Sequence, residues 1–181
     1  MSEQTDLFLS HDWGEDGATN HERVSKINEA IKELGYTTWF DNERMVGNIR
    51  EQMANGIDNT KCFIAFLTKR YHDKVVFGPD TDNCRTEFDY ASTTVPMVAV
   101  VLDASMRNPR DWKGNIGLTL RKNLYIDMSG DIDDSSYMSK QLKLLTNDLN
   151  VKGILPNGSG ICLLYLRDYR DIKSNSFELK K

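Results

Sequence analysis

The sequence predicts an α/β fold: a parallel sheet with helices packed on both faces, the doubly wound sandwich. Three observations carry that expectation. Cys62–Leu67 is six apolar residues with no polar face, the pattern of a strand buried on both sides, as in parallel sheets. Short apolar runs then alternate along the chain with segments whose apolar residues recur at three- and four-residue intervals. Each run also ends in a polar loop, where open α/β sheets bind their ligands.

The elements follow in order. Leu7–Leu9 is the first strand, and Ser10-His11-Asp12-Trp13-Gly14 ends it. Thr19-Asn-His-Glu22 has the spacing of a capping box. Val24, Ile27, Ile31 and Leu34 then form one helix face, with Gly35 as the residue that stops it. Tyr36–Phe40 is aromatic and β-branched, a second strand. A charged loop, Asp41–Gly47, precedes a helix marked by Ile49, Met53 and Ile57. After the Cys62–Leu67 strand, Gly78-Pro79-Asp80 is expected to be an exposed turn between two pieces of helix. In the second piece Cys84, Phe88 and Ala91 share a face, which places Glu87 at its rim, looking over the end of the central strand. Met97–Leu102 is a fourth strand, Asp103–Leu120 a loop with at most a short helix, and Leu124–Ile126 a fifth strand. Met138, Leu142, Leu145 and Leu149 give a last helix. The domain is expected to span residues 1–150. Residues 151–181 form an extension of unassigned role, with a turn at Pro156–Gly160, a strand-like run at Ile161–Leu166 and a charged end.

A chain of 181 residues with 28% charged and 39% apolar residues is a soluble globular protein with one full core. A net charge of −4 argues against a nucleic-acid surface, and no apolar stretch is long enough to span a bilayer. Cys62, Cys84 and Cys162 are odd in number and unpaired by spacing, and no signal peptide is evident. A cytoplasmic protein with reduced thiols is the expectation.

The loops exclude several chemistries. Neither G-x-x-x-x-G-K-[ST] nor G-x-G-x-x-G occurs, and a phosphoacceptor arrangement would need an Asp and a Lys where Thr68 and Asp127 stand. His11, His21 and His72 show no helical pairing, so no metal site is expected. His11 is either a base or a structural histidine. Glu87 is either an ordinary helix carboxylate or one aimed at a ligand. Trp13 either stacks on a base or closes its loop over the core, and Ser10 offers a hydroxyl to a phosphate or ribose.

The chain resembles the Toll/interleukin-1 receptor (TIR) domain family over roughly residues 5–149. Asp6–His11 resembles its strand-one box, Gly35–Asp41 its second strand, Asn59–Tyr71 its third strand and exit, and Cys84-Arg-Thr-Glu87 its Cys-x-x-Glu spacing. The resemblance implies a flavodoxin-like three-layer sandwich with a five-stranded parallel sheet in the order 2-1-3-4-5. It implies one of two roles. Some members cleave the nicotinamide–ribose bond of NAD+ in immune or cell-death-type signalling, with the glutamate matching Glu87 as the catalytic residue. Others are adaptors that associate with further TIR domains. On the first reading NAD+ is the substrate, no separate cofactor is needed, and Ser10, His11, Trp13, Trp39 and Arg44 are the candidate substrate-binding residues. Trp39 is alternatively a half-buried strand aromatic. On either reading self-association is expected, with Met45, Val46 and Gly47 of the Asp41–Gly47 loop as candidate interface residues. Where enzymatic relatives often carry arginines after the first box, this chain has Asp12-Trp13, leaving Arg44, Lys69 and Arg70 as replacement cations. Asn83 stands where a tryptophan is common.

Overall fold

The computed structural model describes residues 4–40 and 49–157. Five strands, β1 (Thr5–Ser10), β2 (Thr38–Trp39), β3 (Thr60–Leu67), β4 (Met97–Val101) and β5 (Tyr125–Asp127), form one sheet in the order β2-β1-β3-β4-β5. Every pairing is parallel. Among the described residues six helices cover it: α1 (Thr19–Glu33), α2 (Ile49–Asp58), α3 (Lys69–Phe77), α4 (Asn83–Thr94), α5 (Gly114–Leu120) and α6 (Ser135–Val151). The predicted architecture is the one observed.

The sheet divides the core in two. Leu7, Leu9, Ile64 and Phe66 pack against Val24, Ile27 and Ile31 of α1 and Leu142, Leu145 and Leu149 of α6. Phe8, Phe63, Ala65 and Leu67 face Met53 and Ile57 of α2, Tyr71 and Val75 of α3, Phe88 of α4 and Ile116 of α5. Alternate residues of β3 therefore enter opposite apolar layers, which is why its sequence shows no polar period. Phe63, Ile64, Phe66 and Leu67 are all fully buried.

Local chemistry sets the helix ends, and in one place it differs from expectation. Thr19 does not cap α1: it is the first helical residue, and Ala18 is the cap position, with no side-chain cap bond of its own. The capping group is Asp16, whose carboxylate accepts from the Ala18 and Thr19 amides at 3.0 and 2.9 Å and from the Thr19 hydroxyl. The signal lay three residues upstream of the expected one. At the other end Gly35 adopts φ +88°, as its stop role requires. Thr68, Asp82 and Asp134 cap α3, α4 and α6 conventionally.

Strand lengths also differ. Only Thr38 and Trp39 of the expected Tyr36–Phe40 strand pair with β1. β5 runs Tyr125–Asp127, and Leu124 is exposed. Within Asp103–Leu120 two single 3-10 turns precede α5 and deliver Trp112 to the core, where its indole donates to Met106 O at 2.8 Å. Beyond residue 150 the described chain remains packed: Ile154 is buried, and the Asn157 amide donates to Asp6 at 3.0 Å. The expected strand at Ile161–Leu166, Cys162 and the charged end lie outside the described residues.

Candidate functional site

Side chains alternate along β1, so Phe8 and Ser10 face the α2–α4 side while Leu7 and Leu9 face α1 and α6. Ser10, the last residue of β1, therefore points toward α3 and α4. Its hydroxyl donates to Glu87 Oε2 at 2.6 Å and lies 2.9 Å from the Tyr71 hydroxyl. Glu87 stands on the second turn of α4, whose start is fixed by Asp82 accepting from the Cys84 amide at 2.9 Å. Tyr71 stands on the first turn of α3, where its amide donates to the Thr68 cap at 2.9 Å. Three elements thus converge on one carboxylate. Glu87 is not at a solvated rim: it is 5% exposed, with α3 and the end of β1 packed against α4.

Burial and charge act on its neighbours. Burial, then Cys84 and the Glu87 charge, push the Tyr71 phenol well above its ordinary value. Burial and then Glu87 likewise raise the Cys84 thiol, whose Sγ lies 3.5 Å from His11 O. Both groups stay protonated through the physiological range. A buried carboxylate held by a hydroxyl can stabilise an adjacent positive centre or bind sugar hydroxyls.

The expected binding residues divide between the two faces of the sheet. Trp39 lies on the Ser10 face, one strand over, but in the core: it is 4% exposed and stacked on Phe8 with centroids 4.2 Å apart. Gly56 of α2 makes this possible, since a Cβ there would fall 2.8 Å from the indole nitrogen. His11 and Trp13 are on the other face. His11 Nε2 is 2.7 Å from His21 Nδ1, and the exposed Trp13 stacks on His21 at 4.2 Å. Burial, reinforced by His21, lowers the His11 imidazole to about 4, so it is neutral at pH 7 and cannot serve as a cationic anchor. The expected loop residues Arg44, Met45, Val46 and Gly47 lie outside the described residues.

Asp12 is a stitch between loops. It is buried, and it accepts from the Gly14 amide at 2.8 Å, Asn20 at 2.9 Å and the Thr68 hydroxyl. Arg70 lies 3.5 Å from the same carboxylate, and Lys69 pairs with Asp73. Beside this stitch, above the β1–β3 switch point, lies an open groove of about 1050 Å3 lined by Asp16, Arg23, Lys69, Arg70, Lys74 and Asp103 among others. Glu87 does not line it. The groove's lysines are matched by carboxylates, Lys74 with Asp82 at 3.0 Å, so geometry at Glu87 rather than groove size identifies the candidate centre.

The sequence places Thr68–Tyr71 among the strand-end segments that face a ligand, but it singles out neither Tyr71, Thr68 nor His21 for a part in the site. The Thr68-x-x-Tyr71 spacing is a capping signal that marks α3, but nothing local reveals a bond from Tyr71 to Ser10 across 61 positions. No group of three or more potential metal ligands occurs among the described residues, and no helix among them is long and apolar enough to cross a membrane.

A sequence profile described as TIR domain matches residues 7–143. No curated protein matches the chain. Among solved structures, the TIR domains of the activated Roq1 resistosome, which directly recognises the pathogen effector XopQ, superpose with a TM-score of 0.55 at 15% identity, covering 81% of this chain and 99% of that one. At that identity the likeness concerns the fold.

Proposed function

This chain belongs to the TIR domain family, and we propose that it cleaves the nicotinamide–ribose bond of NAD+ with Glu87 as its catalytic carboxylate. The observation that carries the proposal is the Glu87 side chain itself, buried beside the end of β1 and held by Ser10 at 2.6 Å. The chemistry asks for little else. Nicotinamide in NAD+ is cationic and departs neutral with the electron pair of the C1′–N bond, so no general acid is needed. The ribose is left as an oxocarbenium-like cation, and one carboxylate fixed beside it offsets the developing charge. A nucleophile such as water then adds at C1′ and gives up a proton.

At 5% exposure Glu87 meets a sugar only after the groups above it move, so substrate binding and site opening are coupled. In this proposal Ser10 serves twice, orienting Glu87 and lying within reach of a ribose hydroxyl. Association with other TIR domains belongs to the same proposal; the Roq1 neighbour is itself part of an assembly. The test is chromatographic measurement of nicotinamide released from NAD+ by the purified chain over a range of protein concentrations. Stoichiometric release of nicotinamide with an ADP-ribose product supports the proposal. Absence of release at every concentration, from folded protein, refutes it and leaves the adaptor role.

A further inference from the structure

The contact between Ser10 and Tyr71 has a direction. Ser10 has one hydroxyl proton, and its 2.6 Å contact with Glu87 Oε2 is the shorter, charge-assisted one. With that proton directed at the carboxylate, the Ser10 oxygen is left as acceptor for Tyr71 at 2.9 Å. The phenol, raised by burial, retains its proton to donate. The chain of donation therefore runs Tyr71 to Ser10 to Glu87.

The reverse direction is penalised. Were Glu87 protonated and donating to Ser10, the serine would turn its proton to the Tyr71 oxygen. Tyr71 is fully buried, and among the described residues its hydroxyl meets only Ser10. The phenol proton would then have no acceptor among the described residues, and leaving a buried donor unsatisfied is costly. Proton donors in series also polarise one another, which strengthens the forward chain.

We propose that Tyr71 and Ser10 form a one-way hydrogen-bond relay that keeps Glu87 ionised and fixed in one rotamer, with Tyr71 as a positioning residue that never meets the substrate. The inference deepens the NAD+-cleavage reading and rests on it for its catalytic consequence, but not for its structural one. Among the described residues, the titratable groups that act on Tyr71 or Cys84 beside Glu87 are Lys74 on α3, Asp82 at the start of α4 and Asp12 at the exit of β1, with Cys84 itself on the helix of Glu87. Cys84 stays neutral, Lys74 and Asp82 pair with each other, and Asp12 is held by Thr68 and Arg70. Tyr71→Phe leaves these groups in place. It deletes one hydroxyl and strands nothing, because Ser10 still donates to Glu87.

The experiment compares wild type, Tyr71→Phe and Ser10→Ala, with Glu87→Gln to identify the Glu87 signal. The first readout needs no substrate: the carboxyl of Glu87 is titrated in 13C-Glu-labelled protein by infrared difference spectroscopy. The relay predicts that Glu87 takes up its proton at higher pH in Tyr71→Phe by about one unit, the scale of one hydrogen bond lost behind Ser10, and by more in Ser10→Ala, where the bond to the carboxylate itself is lost. The second readout is kcat/KM for NAD+ against pH, which reports the free enzyme. Its acid limb moves upward by the same amount in Tyr71→Phe, so the variant falls about tenfold below wild type on that limb and rejoins it at high pH. A merely structural tyrosine would lower activity equally at all pH values. An unmoved Glu87 titration in Tyr71→Phe overturns the relay, whether or not any protein cleaves NAD+. A shifted titration in proteins that release no nicotinamide upholds the relay and removes the catalytic reading alone.

Discussion

Replacing Asp6 with asparagine tests the junction on which the edge of the sheet depends. The Asp6 side chain is fully buried at the start of β1. Its Oδ2 accepts from the Thr37 amide at 2.8 Å, the Thr37 hydroxyl at 3.0 Å and the Asn157 amide at 3.0 Å, while Oδ1 pairs with Lys61 Nζ at 2.7 Å. One carboxylate thus ties β1 to β3, to the entry of β2 and to the chain after α6. Asparagine keeps the shape and one acceptor, but turns an amide donor toward Lys61 and removes the charge from three bonds. Lys61 retains some exposure and can turn to water, so its ion pair contributes modestly. The charge-assisted bonds to the two amides are the larger loss, and the total is about 2 kcal/mol at neutral pH. For a domain of this size that lowers Tm by about 4–8 °C. Burial raises the carboxyl, but Lys61, Asn157 and Thr37 together outweigh it and leave Asp6 below the ordinary value. The stabilisation is therefore present above the unfolded-state value near 4 and is lost as pH falls through the lower folded value. Urea titration at pH 7 and near pH 3 is the assay: wild type and Asp6→Asn differ at the first, and the difference narrows at the second. An equal difference at both, or none at neutral pH, refutes the reasoning.

Other predictions follow from single contacts. Phe66→Ala, in a fully buried β3 position, costs about 3–5 kcal/mol by denaturant unfolding; a cost under 1 kcal/mol contradicts the two-layer core. His11 is held near 4 when folded and rises to about 6.5 when unfolded, so the unfolded chain binds the extra proton and stability falls as pH drops from about 6.5 to 4. His11→Gln removes up to about 3 kcal/mol of that pH dependence, measured by melting at intermediate pH values. If assembly completes the catalytic centre, nicotinamide release rises faster than linearly with protein concentration, and the double substitution Met45→Asp with Val46→Asp flattens the rise. Constant specific activity over a hundredfold dilution, unchanged in the double variant, would show the centre to be complete in one chain.

Legibility followed the range of the physics involved. β3 was readable because burial on both faces leaves a solid apolar run, and the Gly35 stop because only a few residues tolerate its backbone angle. Glu87 could be placed on α4 beside Phe88 from helical period alone. Its burial could not, since that depends on α3 and β1 arriving from distant parts of the sequence. Trp112 was hidden for a different reason: single 3-10 turns carry no repeat, so a fully buried indole sat in a stretch that reads as loop. Asp12 and Trp13 mark a departure from the family pattern, but their separate fates, one stitching loops together and the other capping a histidine pair, depend on three-dimensional neighbours. The His11–His21 contact likewise spans a loop and follows no helical spacing.

The central claim is that one carboxylate carries the chemistry, and Glu87→Gln tests it most directly because it keeps the side chain's shape while removing its charge. Nicotinamide release from NAD+ is followed for wild type and variant at equal concentration, with melting curves on the same samples. The account predicts release by wild type, at least a hundredfold less by Glu87→Gln in line with the loss of a transition-state charge partner, and melting temperatures within a few degrees of each other. Equal turnover by a folded Glu87→Gln protein would contradict it.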